Sequence, residues 1–322
     1  MSMASKPVVS VVCVVYNQEQ YISQAIESFL CQETNFCYEI VIHDDASTDR
    51  TSDVINRYCE QYPGRIKYVR QPKNVYSQGA RIFDTAIAFS SGEFVALCEG
   101  DDFWTDPKKL QLQYDYLVAN PDMGAVFGDA NVYYQASGVT LFAHDRSRGV
   151  VPPAGWVKES LLRANPYKTC TVMLRREAVQ GYAVHASKLQ AKMDDYVAWL
   201  HIAGHYRIGY LPEVLGTYRV LEQSASHFSE GKGKLRFERS AYKVSTYFCD
   251  RYGSALPRNV LRSGYSFNMF MYFCRARKFK AALGYVYCSA EFFRLLWAGV
   301  YRAVWRKAKR LRGGVDRSRV TQ

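Results

Sequence analysis

The chain has 322 residues, of which 48% are hydrophobic and 22% charged, a composition that excludes a disordered protein and allows a sizeable core. Its nine cysteines are scattered without a Cys-x-x-Cys pair, which favours reduced, packed thiols over a disulfide framework or a zinc site. The sequence has no apolar run of about eighteen uncharged residues, and Val8–Val15 is too short for a signal peptide. We therefore expect neither a membrane span nor a leader.

Positive charge is concentrated towards the C-terminus. Residues 229–322 hold 21 Lys or Arg against 5 Asp or Glu, whereas residues 1–228 hold 21 against 25. This asymmetry predicts two parts, a mildly acidic body over residues 1–228 and a basic extension over residues 229–322. It also predicts an anionic surface as the partner of the extension.

Apolar runs alternate with helical patterns in the first part of the chain. The runs predict five strands, at Val8–Val15, Tyr38–His43, Ile66–Val69, Phe94–Cys98 and Gly124–Phe127. Apolar residues at helical spacing follow each of the first four strands. Strands that alternate with helices of ten to fifteen residues indicate a mostly parallel, doubly wound α/β sheet.

The alternation ends near Gly128, and a more irregular region begins. It predicts a hairpin over Asp129–Phe142, a strand at Thr171–Leu174, a helix at Met193–Ala203, and two strands, Tyr206–Leu211 and Val214–Val220, joined by Pro212-Glu213. After about Ser229 the pattern is helical, basic and aromatic.

Three carboxylates follow the fourth strand directly. Glu99, Asp101 and Asp102 lie within four residues, where like charges repel one another. A cation or a hydrogen-bonded ligand would relieve that repulsion, and ligands of open α/β sheets bind at this end of the strands. The alternative is a solvated acidic turn in which Asp106 caps the next helix.

Five motifs in order resemble those of the family 2 glycosyltransferases with the GT-A fold. The resemblance covers about residues 7–226 and rests on Val9–Asn17, Asp44–Asp49, Glu99–Pro107, Met193–Trp199 and Gly209–Arg219. The third is similar to the family's DxD metal-binding motif, and the fourth to its Glu-Asp motif.

Two departures from the family pattern stand out. Leu221 occupies the place of a frequent histidine, and His227 lies six residues beyond it. The Gln-x-x-Arg-Trp signature of processive synthases is absent, which favours the transfer of a single sugar.

The resemblance implies a metal-dependent, inverting transfer of one sugar from a nucleotide-sugar donor, UDP- or dTDP-linked, to a saccharide or lipid-linked acceptor. By the same resemblance Asp102 binds Mn²⁺ or Mg²⁺, and Asp101 lies near the ribose of the donor. Glu99 is a further candidate for this acidic pocket.

The resemblance and the spacing to Trp199 assign the catalytic base to Asp195. Adjacent helical residues point about 100° apart, so only one of Asp194 and Asp195 can face a cleft. The alternative for Asp195 is a charge that complements the N-terminal dipole of the helix.

Three further residues are candidates for nucleotide binding. Asp45 would accept the N–H of a pyrimidine ring, although a turn-forming or capping aspartate is a serious alternative. Tyr16 would stack on the base. Arg81 would pair with the phosphates or the base, and a solvated surface arginine is the alternative.

A helix near the C-terminus divides sharply into two faces. Apolar side chains share one face and cations the other; the apolar residues are Phe293, Leu296, Trp297, Val300 and Val304. This division is typical of a helix that lies in a membrane interface, the alternative being a helix packed on the body. We therefore expect a peripheral protein on the cytoplasmic face of the cell membrane.

Two rival functions remain. The first is a catalytically inactive module that binds a nucleotide sugar or acts as a membrane scaffold, an alternative that Leu221 keeps open. The second is nucleic-acid binding, suggested only by the basic extension. It is the least favoured because the body is acidic and no nucleic-acid motif occurs, so we expect no nucleic-acid partner.

Overall fold

The computed structural model describes residues 6–77, 81–191, 193–221, 232–286 and 290–297. The chain divides into two compact units, Met1–Val244 and Ser245–Gln322. Residue 228, where the sequence places the end of the body, lies outside the described residues, and that boundary remains a prediction.

A nine-stranded sheet forms the centre of the first unit, in the order β3-β2-β1-β4-β8-β6-β9-β5, with β7 paired to β6. The strands are β1 Val9–Val15, β2 Tyr38–Asp44, β3 Ile66–Arg70, β4 Phe94–Glu99, β5 Phe103–Trp104, β6 Met123–Tyr134, β7 Val139–Leu141, β8 Met173–Arg175 and β9 Arg207–Val220. Strands β1 to β4 are parallel. The pairs β4–β8, β6–β8 and β5–β9 are antiparallel, and β6–β9 is parallel.

Of the α-helices formed by the described residues, seven belong to the first unit and an eighth continues into the second. They are α1 Ile22–Leu30, α2 Thr51–Gln61, α3 Ile82–Ala88, α4 Lys109–Ala119, α5 Lys158–Arg163, α6 Tyr182–Leu189, α7 Asp194–His205 and α8 Lys232–Arg251. The second unit contains α9 Arg258–Arg275 and α10 Phe279–Leu283, and residues 290–297 are also helical.

The core lies against β1, the strand between β2 and β4. Every residue of Val9–Val15 is buried, which explains its continuous β-branched run: a strand covered on both faces needs no polar alternation. Helix α1 packs Ile22, Ile26 and Phe29, all fully buried, into the same core. The predicted α/β class is confirmed.

The structure differs from the sequence-based elements mainly after β4. One strand, β9, replaces the two predicted on either side of Pro212-Glu213, because register shifts against β6 near Gly128 absorb the irregular residues. The short elements β5, α5 and α6 lie where no regular element was predicted. Among the described residues, no helix is both long enough and apolar enough to cross a membrane.

Candidate active site

The acidic turn after β4 lies close against the end of β1. Glu99 is the last residue of β4, and Asp101 and Asp102 follow Gly100. A Cβ atom on Gly100 would come 2.5 Å from Cγ1 of Val15, so this approach requires glycine. Because β1 and β4 are parallel neighbours, the turn lies at the carboxyl edge of the sheet.

The three carboxyl groups of this turn are hard to ionise together. Burial, followed by the charges of Asp101 and Asp195, raises the pKa of Glu99 to about 8. Burial also raises the pKa of Asp101, and burial with the charges of Asp101 and Glu99 raises the pKa of Asp102 well above its usual range. Oε2 of Glu99 is buried without a hydrogen-bond partner in the described structure. Each carboxylate of the turn therefore makes its neighbours harder to ionise.

Arg219 of β9 anchors the turn. Its backbone N–H donates to Oδ1 of Asp102 at 2.7 Å, and its Nε donates to the carbonyl oxygen of Asp101 at 2.7 Å. The two terminal nitrogens donate to Gln135 at 2.7 Å and Gln24 at 2.6 Å. The charge of Arg219 opposes the rise in the pKa of Asp101. One side chain thus fixes the backbone of the turn and offsets part of its charge.

Aromatic rings surround the guanidinium group of Arg219. Its central carbon lies 4.9 Å from the ring centroid of Tyr21, 5.5 Å from that of Phe103 and 5.3 Å from that of Tyr133. Such rings attract a cation electrostatically and exclude water from it. Arg219 is only 7% exposed, so its charge acts on the turn with little solvent screening.

A buried polar network supports Asp102 from another direction. The thiol of Cys170 donates a hydrogen bond to Asp102, and Nε1 of Trp104 donates to the carbonyl oxygen of Cys170 at 2.9 Å. Nζ of Lys109 lies 4.2 Å from the Trp104 ring centroid and donates to Oε1 of Gln113 at 2.6 Å. Burial lowers the pKa of Lys109 to about 7. The Cys170 thiol thus joins Asp102 to this buried network.

The two aspartates at the start of α7 have different surroundings. Oδ2 of Asp194 accepts from the backbone N–H of Phe83 at 3.4 Å and from the hydroxyl of Tyr182 at 3.2 Å, so Asp194 contacts α3 and α6. Asp195 lies near enough to the acidic turn to raise the pKa of Glu99. Burial raises the pKa of Asp195 itself. Asp195 is therefore the carboxylate of this pair that lies near the acidic turn.

The loops after β1 and β2 are joined to each other. The N–H of Asn17 donates to Oγ of Ser47 at 3.0 Å, and the N–H of Thr48 donates to Oδ1 of Asn17 at 2.7 Å. Asn17 has a φ of +54°, a left-handed conformation that asparagine tolerates better than most residues. Tyr16, which directly follows β1, is 45% exposed. Its ring is therefore accessible at this edge of the sheet.

Asp45 makes contacts of the turn-forming kind. Its Oδ1 accepts from the N–H of Val75 at 2.7 Å, and its Oδ2 from the N–H of Tyr76 at 3.0 Å. Each carboxylate oxygen has two acceptor positions, so both oxygens can accept one more hydrogen bond. The turn role and the nucleotide role predicted for Asp45 are thus compatible.

Arg81 contacts the segment that leads into α7. Its Nη1 donates to the carbonyl oxygen of Ala191 at 2.9 Å, and its charge lowers the pKa of Asp194 against the larger effect of burial. Arg81 is half-buried, unlike a solvated surface arginine. Its predicted contact with donor phosphates or base remains a prediction.

The structure thus brings Asp195 to the acidic turn and places Tyr16 and Asp45 on the same edge of the sheet. His227, the substitute considered for the histidine missing at Leu221, lies outside the described residues. Arg219, Cys170 and Lys109 were not predicted from the sequence to belong to the site. Arg219 could have been found, because it lies near the end of a strand within the motif Gly209–Arg219. No sequence pattern distinguishes Cys170 or Lys109.

The acidic turn has the chemistry of a Mg²⁺ or Mn²⁺ site, because its donors are carboxylate oxygens and Arg219 offsets only part of their charge. Within the described ranges, no three His, Cys, Asp or Glu side chains are arranged to hold a metal ion by themselves. Mg²⁺ is commonly bound by one or two carboxylates together with substrate phosphates. The residues present therefore fit a metal ion that arrives with a diphosphate ligand.

Parallel strands with polar groups at their carboxyl edge define the class of α/β proteins that bind ligands there. Within that class, the sequence profile described as glycosyl transferase family 2 matches residues 10–175, just over half of the chain. The chain belongs to this family.

The chain is similar in sequence to several curated proteins. An uncharacterised protein of Mycobacterium tuberculosis is 34% identical over 65% of this chain and 58% of its own length. The chain thus spans little more than half of that relative. A putative glycosyltransferase of Bacillus subtilis, EpsE, is 29% identical over 69% of this chain and 76% of its own. The Escherichia coli protein WfgD, named UDP-Glc:alpha-D-GlcNAc-diphosphoundecaprenol beta-1,3-glucosyltransferase, is 28% identical over 60% and 69%.

Solved structures share the fold at low sequence identity. Staphylococcus aureus TarS 1–349 in complex with UDP-GlcNAc has a TM-score of 0.52 and 15% identity, covering 83% of this chain and 72% of that one. The Pyrobaculum calidifontis mannosyltransferase PcManGT, in complex with GDP-Man and Mn²⁺, has a TM-score of 0.51 and 18% identity, covering 88% and 86%. The GT-A fold expected from the sequence is confirmed.

Replacement of Arg219 by lysine should destabilise the protein by about 1–3 kcal/mol. Lysine keeps the charge but cannot donate to Asp101, Gln135 and Gln24 in the same planar geometry. Urea unfolding measures the change. Arg207→Lys is the control, because Arg207 pairs with Asp122 at the surface and should matter by less than about 1 kcal/mol. Equal effects of the two changes would contradict the anchoring role.

Asp194 should make stability fall as pH rises. Its pKa in the folded state is about 6, above its ordinary value of 3.8, so the unfolded chain loses the proton at lower pH. The free energy of unfolding therefore falls as pH rises from about 4 to about 6. Relative to wild type, Asp194→Asn should therefore gain stability across this interval, by at most about 3 kcal/mol. Urea unfolding at several pH values measures the difference. A curve parallel to wild type would refute this.

Proposed function

We propose that the chain is an inverting, metal-dependent glycosyltransferase that moves one sugar from a nucleotide-sugar donor, UDP- or dTDP-linked, to a saccharide or lipid-linked acceptor in surface-polysaccharide or glycolipid synthesis. The observation that carries the proposal is the proximity of Asp195 to the acidic turn. Membership of the family supports it, as do the printed name of WfgD and the UDP-GlcNAc bound by TarS.

The acidic turn serves the leaving group. Asp102 would hold Mn²⁺ or Mg²⁺, and Asp101 would lie beside the ribose of the donor. A bound divalent ion would supply Lewis-acid stabilisation of the departing diphosphate. Arg219 and Cys170 fix the turn before the donor arrives, so little reorganisation is needed when charge develops.

Asp195 serves the acceptor. Its carboxylate accepts the proton of the acceptor hydroxyl while that oxygen forms a bond to the anomeric carbon. The bond between that carbon and the diphosphate oxygen breaks in the same step. Because attack occurs opposite the leaving group, the anomeric configuration inverts. Burial raises the pKa of Asp195, which makes it a stronger base than an exposed aspartate.

The remaining candidates position the nucleotide. Tyr16 stacks on the base, and Asp45 uses a free acceptor position of its carboxylate for a ring N–H. Arg81 donates to Ala191 near the start of α7, and it pairs with the phosphates or the base of the donor. A pyrimidine base suits Asp45 because its ring N–H is a single donor.

In this proposal the basic extension binds the membrane that contains the lipid-linked acceptor. The extension carries a large positive charge, and Phe293 and Trp297 of its predicted apolar face are exposed. Val300 and Val304 of that face lie outside the described residues. A basic, amphipathic extension suits an anionic bilayer surface, which is where a lipid-linked acceptor would be met. We place the chain on the cytoplasmic face of the cell membrane.

Asp102→Asn should abolish metal-dependent release of UDP from a UDP-sugar panel. The amide oxygen of asparagine can still accept from the N–H of Arg219, so the fold should remain intact. UDP release with and without Mn²⁺ is the measurement, and Asp122→Asn is the surface control. Full activity in EDTA, or in Asp102→Asn, would contradict the assignment of a metal ion to Asp102. Loss of activity only in Asp101→Asn would assign the metal ion to Asp101 instead.

Asp195→Asn should bind UDP and Mn²⁺ normally but transfer sugar at least about 10²-fold more slowly, the usual contribution of a general base. Asp194→Asn is the matched control and should be much milder, because Asp194 contacts α3 and α6. Calorimetric titration measures binding, and product formation measures transfer. Normal binding with no turnover in the wild-type chain would favour the inactive-module alternative instead.

A further inference from the structure

The helices of the second unit are packed together by aromatic side chains. Phe292 is 1% exposed, and its ring centroid lies 6.3 Å from that of Phe267 and 5.9 Å from that of Phe270. Tyr285 lies 5.4 Å from Phe273 by the same measure. These aromatic side chains therefore pack the helices of the second unit against one another.

Other apolar side chains of the same unit face solvent. Phe279 and Leu283 stand one helical turn apart on α10 and are 63% and 68% exposed. Phe293 and Trp297 repeat this spacing in the helix at 290–297, and Trp297 is 76% exposed. Two exposed apolar stripes in one small unit are more than scattered surface residues, and they indicate a binding surface. Only the second stripe was predicted from the sequence.

The exposed apolar residues are interleaved with cations. Arg275, Arg277, Lys278 and Lys280 are exposed around the start of α10. Between residues 275 and 297 the sequence has one acid, Glu291, and it pairs with Arg294 at 2.7 Å. The surface therefore combines protruding apolar groups with an excess of positive charge.

We propose that α10 is a membrane-docking element that inserts Phe279 and Leu283 into an anionic bilayer while the neighbouring lysines and arginines contact lipid headgroups. An aliphatic and an aromatic side chain side by side suit the boundary between headgroups and acyl chains. A single-stranded nucleic acid would instead be bound by stacked aromatic rings and would gain little from Leu283. The inference deepens the proposed membrane association, on which it rests, by naming a contact that the sequence pattern did not predict.

The test is co-sedimentation of the full chain with vesicles of phosphatidylcholine, with and without phosphatidylglycerol, at several salt concentrations. The double variant Phe279→Ser/Leu283→Ser should bind phosphatidylglycerol vesicles at least about tenfold more weakly than wild type. The matched control is Phe142→Ser/Val184→Ser, which removes two apolar groups that are 71% and 69% exposed in the first unit. It should bind like wild type.

A second variant tests the charges. Lys278→Ala/Lys280→Ala should weaken binding at low salt and make it less dependent on salt concentration. Stabilisation of each variant by UDP and Mn²⁺ in thermal unfolding reports an intact fold and donor site. The vesicle test is also independent of the proposed sugar transfer, because vesicle binding needs no turnover.

Several results would overturn the inference. Unchanged vesicle binding by Phe279→Ser/Leu283→Ser, equal loss in the Phe142→Ser/Val184→Ser control, or no binding of wild type to anionic vesicles at low salt would each do so. A wild-type dimer in light scattering that the α10 variant dissociates would assign the surface to a second copy of the chain. Retention on single-stranded DNA that is lost in the α10 variant, without vesicle binding, would assign it to nucleic acid.

Discussion

Repulsion among buried carboxylates is the constraint on which the site depends. Glu99, Asp101 and Asp102 lie within one turn, and burial raises the pKa of each. Such a cluster does not stabilise the fold, and neutral residues at these three positions would give a more stable protein. Arg219 relieves part of the cost through its hydrogen bonds and its charge. A divalent cation would supply the positive charge that is still missing.

The surrounding structure holds this unfavourable arrangement in place. Gly100 lets the turn approach β1, β9 delivers Arg219, and the network of Cys170 and Lys109 supports Asp102. Residues that break local rules while their neighbours are rigid are the usual mark of a functional site. The same reasoning separates Asp194 from Asp195. They are adjacent in sequence, but Asp194 is hydrogen-bonded to α3 and α6, whereas Asp195 lies near enough to Glu99 for its charge to affect the pKa of that residue.

The first half of the fold could be predicted because local patterns determine it. Buried parallel strands give continuous β-branched runs, and the helices between them give regular apolar spacing, so β1 to β4 were found nearly to the residue. Phe103–Trp104 was not found, because a two-residue strand exists only through its pairing with β9. The carboxylates of the site were visible as a cluster. Arg219 was not, since its partners Gln24 and Gln135 are distant in sequence.

The most direct test of the central claim is the position of a bound metal ion. Diffraction data from crystals containing UDP and Mn²⁺, recorded near the manganese absorption edge, locate the ion by its anomalous signal. The account predicts one peak in contact with the carboxylate of Asp102 and with the diphosphate. UDP bound at the sheet edge without a peak there, or a peak only elsewhere on the chain, would contradict it.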